Sequence, residues 1–182
     1  MTLDAGRFRR ALGCFATGVA VITAEFDGAA HAMTANAISS LSLDPPLILF
    51  CPSKKARLSA GLNLIKEFSV NFLRNEQEAL ANYFAGAWRK PIAPTFRFVP
   101  GHCGPRLEGS LVTLECAMHE VIEGGDHWIV IGRVVHLHDG VEPHYPLVFF
   151  KGQYRDIDMR QGAPAPDLAA VEDEPPHIFY HN

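Results

Sequence analysis

The chain lacks the short motifs that carry several common kinds of enzyme chemistry. No GxGxxG follows the first predicted strand, and GxxxxGK[ST], GxSxG and HExxH do not occur in the 182 residues. Support is therefore missing for a Rossmann dinucleotide fold, P-loop phosphoryl transfer, nucleophile-elbow hydrolysis and the usual zinc-protease helix. Any ligand site in this protein must be built in another way.

Long apolar runs and paired cysteines are missing as well. No apolar run approaches the roughly 20 residues that span a bilayer, and the N-terminal MTLDAGRFRRALG lacks the basic-then-apolar order of a secretion signal. We therefore expect a cytoplasmic protein with no membrane partner. The four cysteines form no CxxC pair, which indicates free thiols rather than a zinc knuckle or structural disulfides.

Positive charge is absent from the C-terminal end. From Gln161 onward the chain has four acidic residues and no Lys or Arg, so the preceding part carries 16 bases and 16 acids out of totals of 16 and 20. An electroneutral body offers no electrostatic surface for nucleic acid. With 48% hydrophobic residues, the composition predicts one compact domain over 1–160 and an acidic, proline-rich arm over 161–182.

The pattern of the remaining segments predicts strands joined by short turns, with few helices. VAVITAEF, an Asp27-Gly28 turn and AAHAMTA form a strong hairpin signal. Further strands are predicted over 47–51, 67–73, 110–123, 127–138 and 146–154, with helices over 7–16, 56–66 and 76–86, the last capped by Asn75. The fold class that we expect is mainly β, an antiparallel sheet closed into a small barrel with peripheral helices.

The stretch HAMTANAISSLSLDPPLILFC places small polar side chains before an apolar strand. Pro45 and Pro46 mark the entry to that strand, so the preceding segment is predicted to be a polar connection. Its hydroxyl and amide groups either bond to one another in local turns or face a polar ligand. After the strand, Ser53, Lys54 and Arg57 with the amides near Ala56 form either a solvated turn or a phosphate site.

Histidines supply two further candidate functional groups, a possible metal site and a possible catalytic residue. His136 and His138 lie on one face of a predicted strand and could hold a metal, but no third ligand at suitable spacing is visible. His127 follows Gly124-Gly125-Asp126 at the start of a β-run. It is either a structural turn histidine or a catalytic group at the edge of a pocket.

Six segments then occur in the order seen in the flavin reductase family, over about residues 8–154. They are ATGVAVITA, MTANAISSLSLDPPLILFC, KKAR, FSVNFL, GGDHWIVIGRV and PLVFFKGQY. The chain resembles the small reductase component of two-component flavin-dependent monooxygenases. This resemblance implies a Greek-key FMN-binding split barrel, a homodimer with flavin sites near the subunit interface, and hydride transfer from NADH or NADPH to FMN or FAD.

Carried over to this sequence, the resemblance also implies roles for single residues. His127 would lie near the nicotinamide as the catalytic residue. The flavin-binding residues would be Thr34, Ala35, Asn36, Ser39, Ser40, Cys51, Ser53, Lys54, Ala56, Arg57, Phe150 and Tyr154. Leu58 stands where the family often has a hydroxyl residue, which removes one possible phosphate donor.

Three functions from different classes remain open at this point. The chain is a flavin reductase serving a separate oxygenase, a flavoprotein with tightly held FMN acting on another acceptor or as an electron carrier, or a barrel that binds a ligand without catalysis. The flavin supplies the hydride-accepting chemistry, so a reductase only needs to position the two reacting rings. Mixing the protein with NADH and excess FMN distinguishes the three functions: many turnovers indicate the first, a single bleaching of bound flavin the second, and no spectral change the third.

Overall fold

The computed structural model describes residues 3–140 and 145–157, in which β-strands predominate. The N-terminal elements are α1 (Ala5–Leu12), β1 (Thr17–Gly18), β2 (Ala20–Phe26), β3 (Ala29–Ala35), β4 (Ile38–Leu43), β5 (Pro46–Phe50) and α2 (Arg57–Ala60). They are followed by β6 (Glu67–Phe72), a 3-10 helix (Asn75–Gln77), α3 (Glu78–Phe84), β7 (Phe98–Gly101), β8 (Gly104–Leu107), β9 (Val112–Gly124), β10 (His127–Asp139), β11 (Val148–Phe150) and β12 (Gln153–Arg155). The predicted arm lies outside the described residues. No described helix is long and apolar enough to cross a membrane.

Seven of the strands form one antiparallel sheet in the order β3-β2-β6-β9-β10-β5-β4. Seven flat strands would separate the two edges by roughly 29 Å, at about 4.8 Å per neighbour. The edge strands β3 and β4 are nevertheless joined by only two residues, which bridge about 11 Å at most. The sheet must therefore curl until its edges are neighbours, and among the described residues no ladder joins β3 to β4. The mainly-β antiparallel prediction is confirmed, but the barrel is open along this seam.

The β2–β3 hairpin is confirmed with the predicted turn. Ala20 pairs with Ala35 and Phe26 with Ala29, and the two turn residues Asp27 and Gly28 have φ angles of 52° and 70°. Positive φ at both central positions matches the right-handed twist of the flanking strands. The Asp-Gly step thus decides the register of this edge of the sheet.

Several local predictions were wrong. Residues 38–43, expected as a connection, form the edge strand β4 instead; β4 is largely exposed, and among the described strands only β5 pairs with it. Residues 146–154 form the β11–β12 hairpin rather than one strand. The β7–β8 hairpin lies in a segment for which neither a strand nor a helix was predicted.

Two helix predictions also need correction. The helix expected over 56–66 is only the single turn α2, because Ser59, Gly61 and Asn63 have low helix propensity. Asn75 is not an N-cap. The capping residue is Arg74, whose backbone N–H donates to the Gln77 side chain at 2.9 Å.

Strand β2 lies at the centre of the packing because both of its faces are buried. Ile22 packs into a cluster with Phe50, Phe68 and Val130, whereas Val21 packs on the opposite face in a second cluster. Side chains alternate across a strand, so a strand covered on both faces reads as a continuous apolar run. This explains why VAVITA contains no charged residue.

A layer of buried polar side chains separates the sheet from the β7–β8 hairpin. Asn71 uses all four of its hydrogen-bonding positions, donating to the Val21 carbonyl and the Thr23 hydroxyl and accepting from the Leu107 amide and the Thr113 hydroxyl. Fully paired polar groups are tolerated in a core and specify one arrangement of the strands that share them. The hairpin is therefore held in place by specific bonds as well as by apolar contact.

Candidate functional site

Three of the predicted flavin-binding residues lie together in a surface cleft. Asn36, Ser39 and Ser40 line a cavity of about 330 Å³, which we call the polar cleft. Asn36 Nδ2 donates to Thr17 Oγ1 at 3.3 Å, and the Ser39 hydroxyl donates to the Ser40 carbonyl at 3.0 Å. In the described part of the chain the Ser40 hydroxyl contacts no hydrogen-bonding partner. The cleft thus presents a hydroxyl that is available to a ligand.

A second cleft continues from the first. We call it the apolar cleft; it has a volume of about 460 Å³ and is lined by Leu12, Phe15, Ile38 and Phe149 among others. Phe15, Thr17, Asn36 and Ile38 line both clefts. An aromatic, apolar wall beside a polar wall suits a flat amphipathic ring system.

Sequence reasoning missed three of these lining residues, Phe15, Thr17 and Phe149. Thr17 and Phe149 are direct partners in the short β1–β11 ladder, although they are more than 130 residues apart in the chain. Strand β1 has two residues, too few to show any periodicity. No sequence signal was available for this pairing.

The fold brings residues 52–54 against residues 126–128. Ser53 and His127 are bridge partners, the Lys54 amide donates to the Asp126 carbonyl at 3.0 Å, and the Trp128 amide donates to the Pro52 carbonyl at 2.9 Å. These bonds continue the β5–β10 ladder beyond Phe50 and Val130. The predicted phosphate cluster and the predicted catalytic histidine are therefore neighbours.

His127 is held by the residue before it. Its Nδ1 lies 2.8 Å from Asp126 Oδ1, and the histidine side chain is 44% exposed. The hydrogen bond from His127, then the charges of His127 and Arg9, lower the pKa of Asp126. Because an ionised carboxylate only accepts, Nδ1 carries a hydrogen in this contact, and Nε2 is the acceptor whenever the ring holds a single hydrogen.

Lys54 already has partners inside the protein. Its ammonium group pairs with Glu123 and lies 4.9 Å from the centre of the Trp128 ring. The hydrogen bond from Lys54 lowers the pKa of the Glu123 carboxyl. An anion at this position would have to share Lys54 with an exposed carboxylate.

The other residues of the predicted phosphate cluster are divided between two places. The Ala56 amide donates to the Ser53 carbonyl at 2.9 Å, and the Ser53 hydroxyl accepts from the Lys55 amide at 3.3 Å. Arg57 is exposed and lines a cavity of about 420 Å³ together with His31 and Tyr83. That cavity shares no lining residue with the polar cleft.

Three predicted residues lie at the end of β3 or just beyond β5. The Thr34 hydroxyl donates to the Ala81 carbonyl of α3 at 2.7 Å, and Ala35 is buried in the main core. The Cys51 amide donates to the Ala37 carbonyl at 3.0 Å, which attaches the polar loop to the end of β5. Burial raises the pKa of the Cys51 thiol, so the thiol stays protonated and unreactive.

Phe150 and Tyr154 belong to the β11–β12 hairpin. The Lys151 ammonium lies 5.2 Å from the centre of the Phe150 ring, and Tyr154 packs edge-on against Phe149 with ring centres 5.3 Å apart. Burial, followed by the charge of Glu78, raises the pKa of Tyr154. Tyr154 therefore supports Phe149, which lines the apolar cleft.

The histidine pair on β10 does not form a metal site in the structure. His136 stacks on His102 with ring centres 4.0 Å apart, and His138 Nε2 lies 2.5 Å from Glu115 Oε1. Stacked rings direct their nitrogens sideways rather than toward a common point. Within residues 3–140 and 145–157, no group of three or more His, Cys, Asp or Glu is arranged to hold a metal ion.

Comparison with known proteins agrees with this architecture. Residues 12–158 match the model of the flavin reductase like domain. The reductase subunit HsaB of a flavin-dependent monooxygenase from Rhodococcus jostii is 37% identical over 90% of this chain and 84% of its own length. An NADH-dependent flavin reductase from a Rhodococcus species is 38% identical over 83% of this chain and 85% of its own length.

A solved structure extends the agreement to three dimensions. Component B of a nitrilotriacetate monooxygenase from Mycobacterium thermoresistibile superimposes with a TM-score of 0.82 at 35% identity, covering 93% of this chain and 95% of that one. The family model matches most of the described fold, and the match covers 84–95% of the length of these relatives. The chain belongs to the family of proteins built on the flavin reductase like domain.

Proposed function

We propose that this protein is an NAD(P)H-dependent flavin reductase that transfers a hydride to FMN or FAD and supplies the reduced flavin to a separate monooxygenase. The observation that carries the proposal is the pair of continuous clefts, one polar and one apolar, that meet at Asn36 and Ile38. Family membership and the relatives, named as reductase subunits and as an NADH-dependent reductase, support it.

The residues present fit a flavin ring. Ser39, Ser40 and Asn36 can bond the polar edge of the ring system, and Phe15 and Phe149 can contact its apolar part. When bound, the flavin supplies the hydride-accepting chemistry itself. Hydroxyl and amide donors directed at its polar edge stabilise negative charge that develops there.

His127 is the proposed catalytic residue. Asp126 holds its ring from one side, and the bridge to Ser53 holds its backbone. The free Nε2 can then accept a hydrogen bond from a nicotinamide amide group or take part in proton balance. Both roles need the ring in one orientation, which the Asp126 contact provides.

The flavin phosphate is proposed to lie at Ser53, Lys54 and Ala56, and Arg57, which lines a separate cavity, would have to turn toward them to take part. Lys54 is within reach of an anion if its pair with exposed Glu123 opens, and exposed ion pairs are worth only about 0–1 kcal/mol. Thr34, Ala35 and Cys51 position the backbone on which the flavin lies, and Phe150 and Tyr154 form the wall on the nicotinamide side.

A homodimer is part of the proposal because a large apolar surface is uncovered. The apolar stripe of α1 and the segment after it are exposed, with Phe8 at 50%, Leu12 at 58% and Phe15 at 76%. An amphipathic helix is normally stabilised by burying that stripe. A second copy of the chain would cover it, and Leu12 and Phe15 also line the apolar cleft, so the flavin site would lie beside the interface.

The experiment that tests the proposed function mixes the purified protein with NADH and an excess of FMN. Absorbance at the NADH and flavin bands should show many turnovers per protein molecule. A single bleaching of flavin that copurifies with the protein would indicate a flavoprotein that keeps its FMN and acts on another acceptor. No spectral change with either FMN or FAD, using NADH or NADPH, would overturn the proposal.

A further inference from the structure

Lys54 lies where the predicted phosphate segment meets the His127 region. Its amide donates to the Asp126 carbonyl at 3.0 Å, and its side chain is 31% exposed. The Lys54 ammonium group pairs with the carboxylate of Glu123, which lies near the end of β9. The cation proposed for the flavin phosphate therefore already has an anionic partner within the protein.

Two cross-strand neighbours contact the Lys54 side chain. Glu123 and Trp128 are direct partners in the β9–β10 ladder, and the Lys54 ammonium lies 4.9 Å from the centre of the Trp128 ring. Side chains of directly opposite residues lie on the same face of a sheet. Glu123 and Trp128 therefore reach the same ammonium group from adjacent positions.

The Glu123 carboxylate is not needed to hold residues 52–54 in place. Ser53 and His127 are bridge partners, and the Trp128 amide donates to the Pro52 carbonyl at 2.9 Å, so backbone contacts already attach this segment to β10. The Glu123 side chain is 69% exposed, and an ion pair between exposed side chains contributes little to stability. Stability alone therefore gives little reason for an acid at this position.

A carboxylate and a phosphate compete for the same ammonium group. Each accepts a charge-assisted hydrogen bond from the lysine, and two anions beside one cation repel each other. The hydrogen bond from Lys54, followed by its charge, lowers the pKa of Glu123, so this carboxyl is ionised at neutral pH. A phosphate group that binds at Lys54 must therefore displace Glu123 or bind against its repulsion.

We infer that Glu123 competes with the flavin phosphate for Lys54 and thereby weakens the binding of phosphorylated flavins. The inference rests on the proposed function, which requires the protein to release its reduced flavin. When the flavin leaves, the Lys54–Glu123 pair forms again and offsets the lost phosphate contact. Glu123 is thus a specificity-determining residue that lowers the affinity for FMN relative to riboflavin, which has the same ring and no phosphate.

Fluorescence titrations of Glu123→Gln with FMN and with riboflavin measure this effect. Glutamine keeps the size of the side chain and removes its charge. The Kd for FMN should fall about three- to fivefold, the upper part of the range for an exposed pair, and the Kd for riboflavin should stay within about 1.5-fold. If Glu123 only positioned Lys54, the same change would weaken FMN binding, so the direction of the change decides between the two roles.

Glu120→Gln is the matched control for the loss of one negative charge. Glu120 is exposed on the same strand, and its odd spacing from Glu123 places it on the opposite face. Among the described residues, Lys54 forms its ion pair with Glu123 and not with Glu120. Because salt screens exposed charges, the Kd of Glu120→Gln for FMN should stay within about 1.5-fold of that of the unaltered protein.

A double-mutant cycle tests whether the effect depends on Lys54. Glu123→Gln introduced into Lys54→Gln should leave the Kd for FMN within about 1.5-fold of that of Lys54→Gln alone, because the shared cation is gone. An effect of equal size in both backgrounds would show that the carboxylate repels the phosphate without competing for Lys54, and it would overturn the inference.

These titrations are independent of turnover. Unchanged or weakened FMN binding in Glu123→Gln, or equal tightening of FMN and riboflavin, overturns the inference and leaves the proposed reductase to be judged by its oxidation of NADH. Tighter FMN binding in Glu123→Gln, in a protein that does not oxidise NADH with FMN, would refute the proposed reductase and leave the competition at Lys54 in place.

Discussion

Replacing Glu115 by Gln removes a buried charge without changing the size of the side chain. Glu115 is 0% exposed on β9 and accepts from the Cys103 amide at 2.6 Å. His138 Nε2 lies 2.5 Å and Arg106 Nε 3.3 Å from the same carboxylate. These contacts attach the β7–β8 hairpin to β9 and β10.

The expected loss of stability follows from these partners. Hydrogen bonds to charged groups contribute about 1.5–3 kcal/mol each, and breaking a buried ion pair costs roughly 3–5 kcal/mol. The Gln oxygen can still accept from one donor, and the His138 and Arg106 side chains are 30% and 25% exposed, so water compensates in part. We therefore expect Glu115→Gln to lower the free energy of unfolding by about 2–3 kcal/mol at pH 7.

Dependence on pH provides the sharper test. Burial opposes ionisation of Glu115, but the hydrogen bonds from Cys103 and His138 and the charges of His138 and Arg106 outweigh it and lower the pKa of this carboxyl below its ordinary 4.5. Its contribution is complete above pH 4.5 and is lost as the pH falls through the folded-state pKa. The difference in free energy of unfolding between the unaltered protein and Glu115→Gln should therefore shrink as the pH falls from 4.5 through the folded-state pKa.

Urea denaturation followed by circular dichroism measures the free energy of unfolding at pH 7 and its dependence on pH. The control is Glu120→Gln, because Glu120 is an exposed residue on the same strand. The control should lie within about 0.5 kcal/mol of the unaltered protein. The reasoning is refuted if Glu115→Gln is no more destabilising than Glu120→Gln, or if the difference grows on acidification.

Three further outcomes follow from the site and the core. His127→Ala should reduce NADH oxidation about 100-fold while leaving the Kd for FMN within about twofold; unchanged turnover at an intact fold would make His127 structural. Arg57→Ala should weaken FMN more than riboflavin in fluorescence titrations, and an equal effect on both would remove Arg57 from the phosphate site. Gly132→Ala would bring a Cβ to 2.4 Å from Phe68 Cζ and should cost about 1–3 kcal/mol in urea denaturation. Gly18→Ala, with nothing within 4 Å of its new Cβ, should cost less, and equal losses would contradict the packing argument.

The sequence by itself determined the parts of this protein whose cause is local. The Asp27-Gly28 turn and the two strand-forming runs that flank it follow from turn chemistry and strand propensity, and the charged segment after Cys51 is visible in the sequence. The local sequence pattern did not predict strand β4, because an exposed edge strand rich in serine has the composition of a loop. The ordered motifs also sufficed to identify the family that the comparisons show.

Only the tertiary structure decided which side chains meet. Thr17 reaches Asn36 and Phe149, Ser53 reaches His127, and Gly13 receives the Lys151 amide through pairings between segments far apart in the chain. Arg57 likewise lines a cavity separate from the polar cleft, together with residues of β3 and α3. The physical reason is that hydrogen-bond ladders depend on how the whole sheet curls, whereas a local pattern records only the periodicity of its own strand.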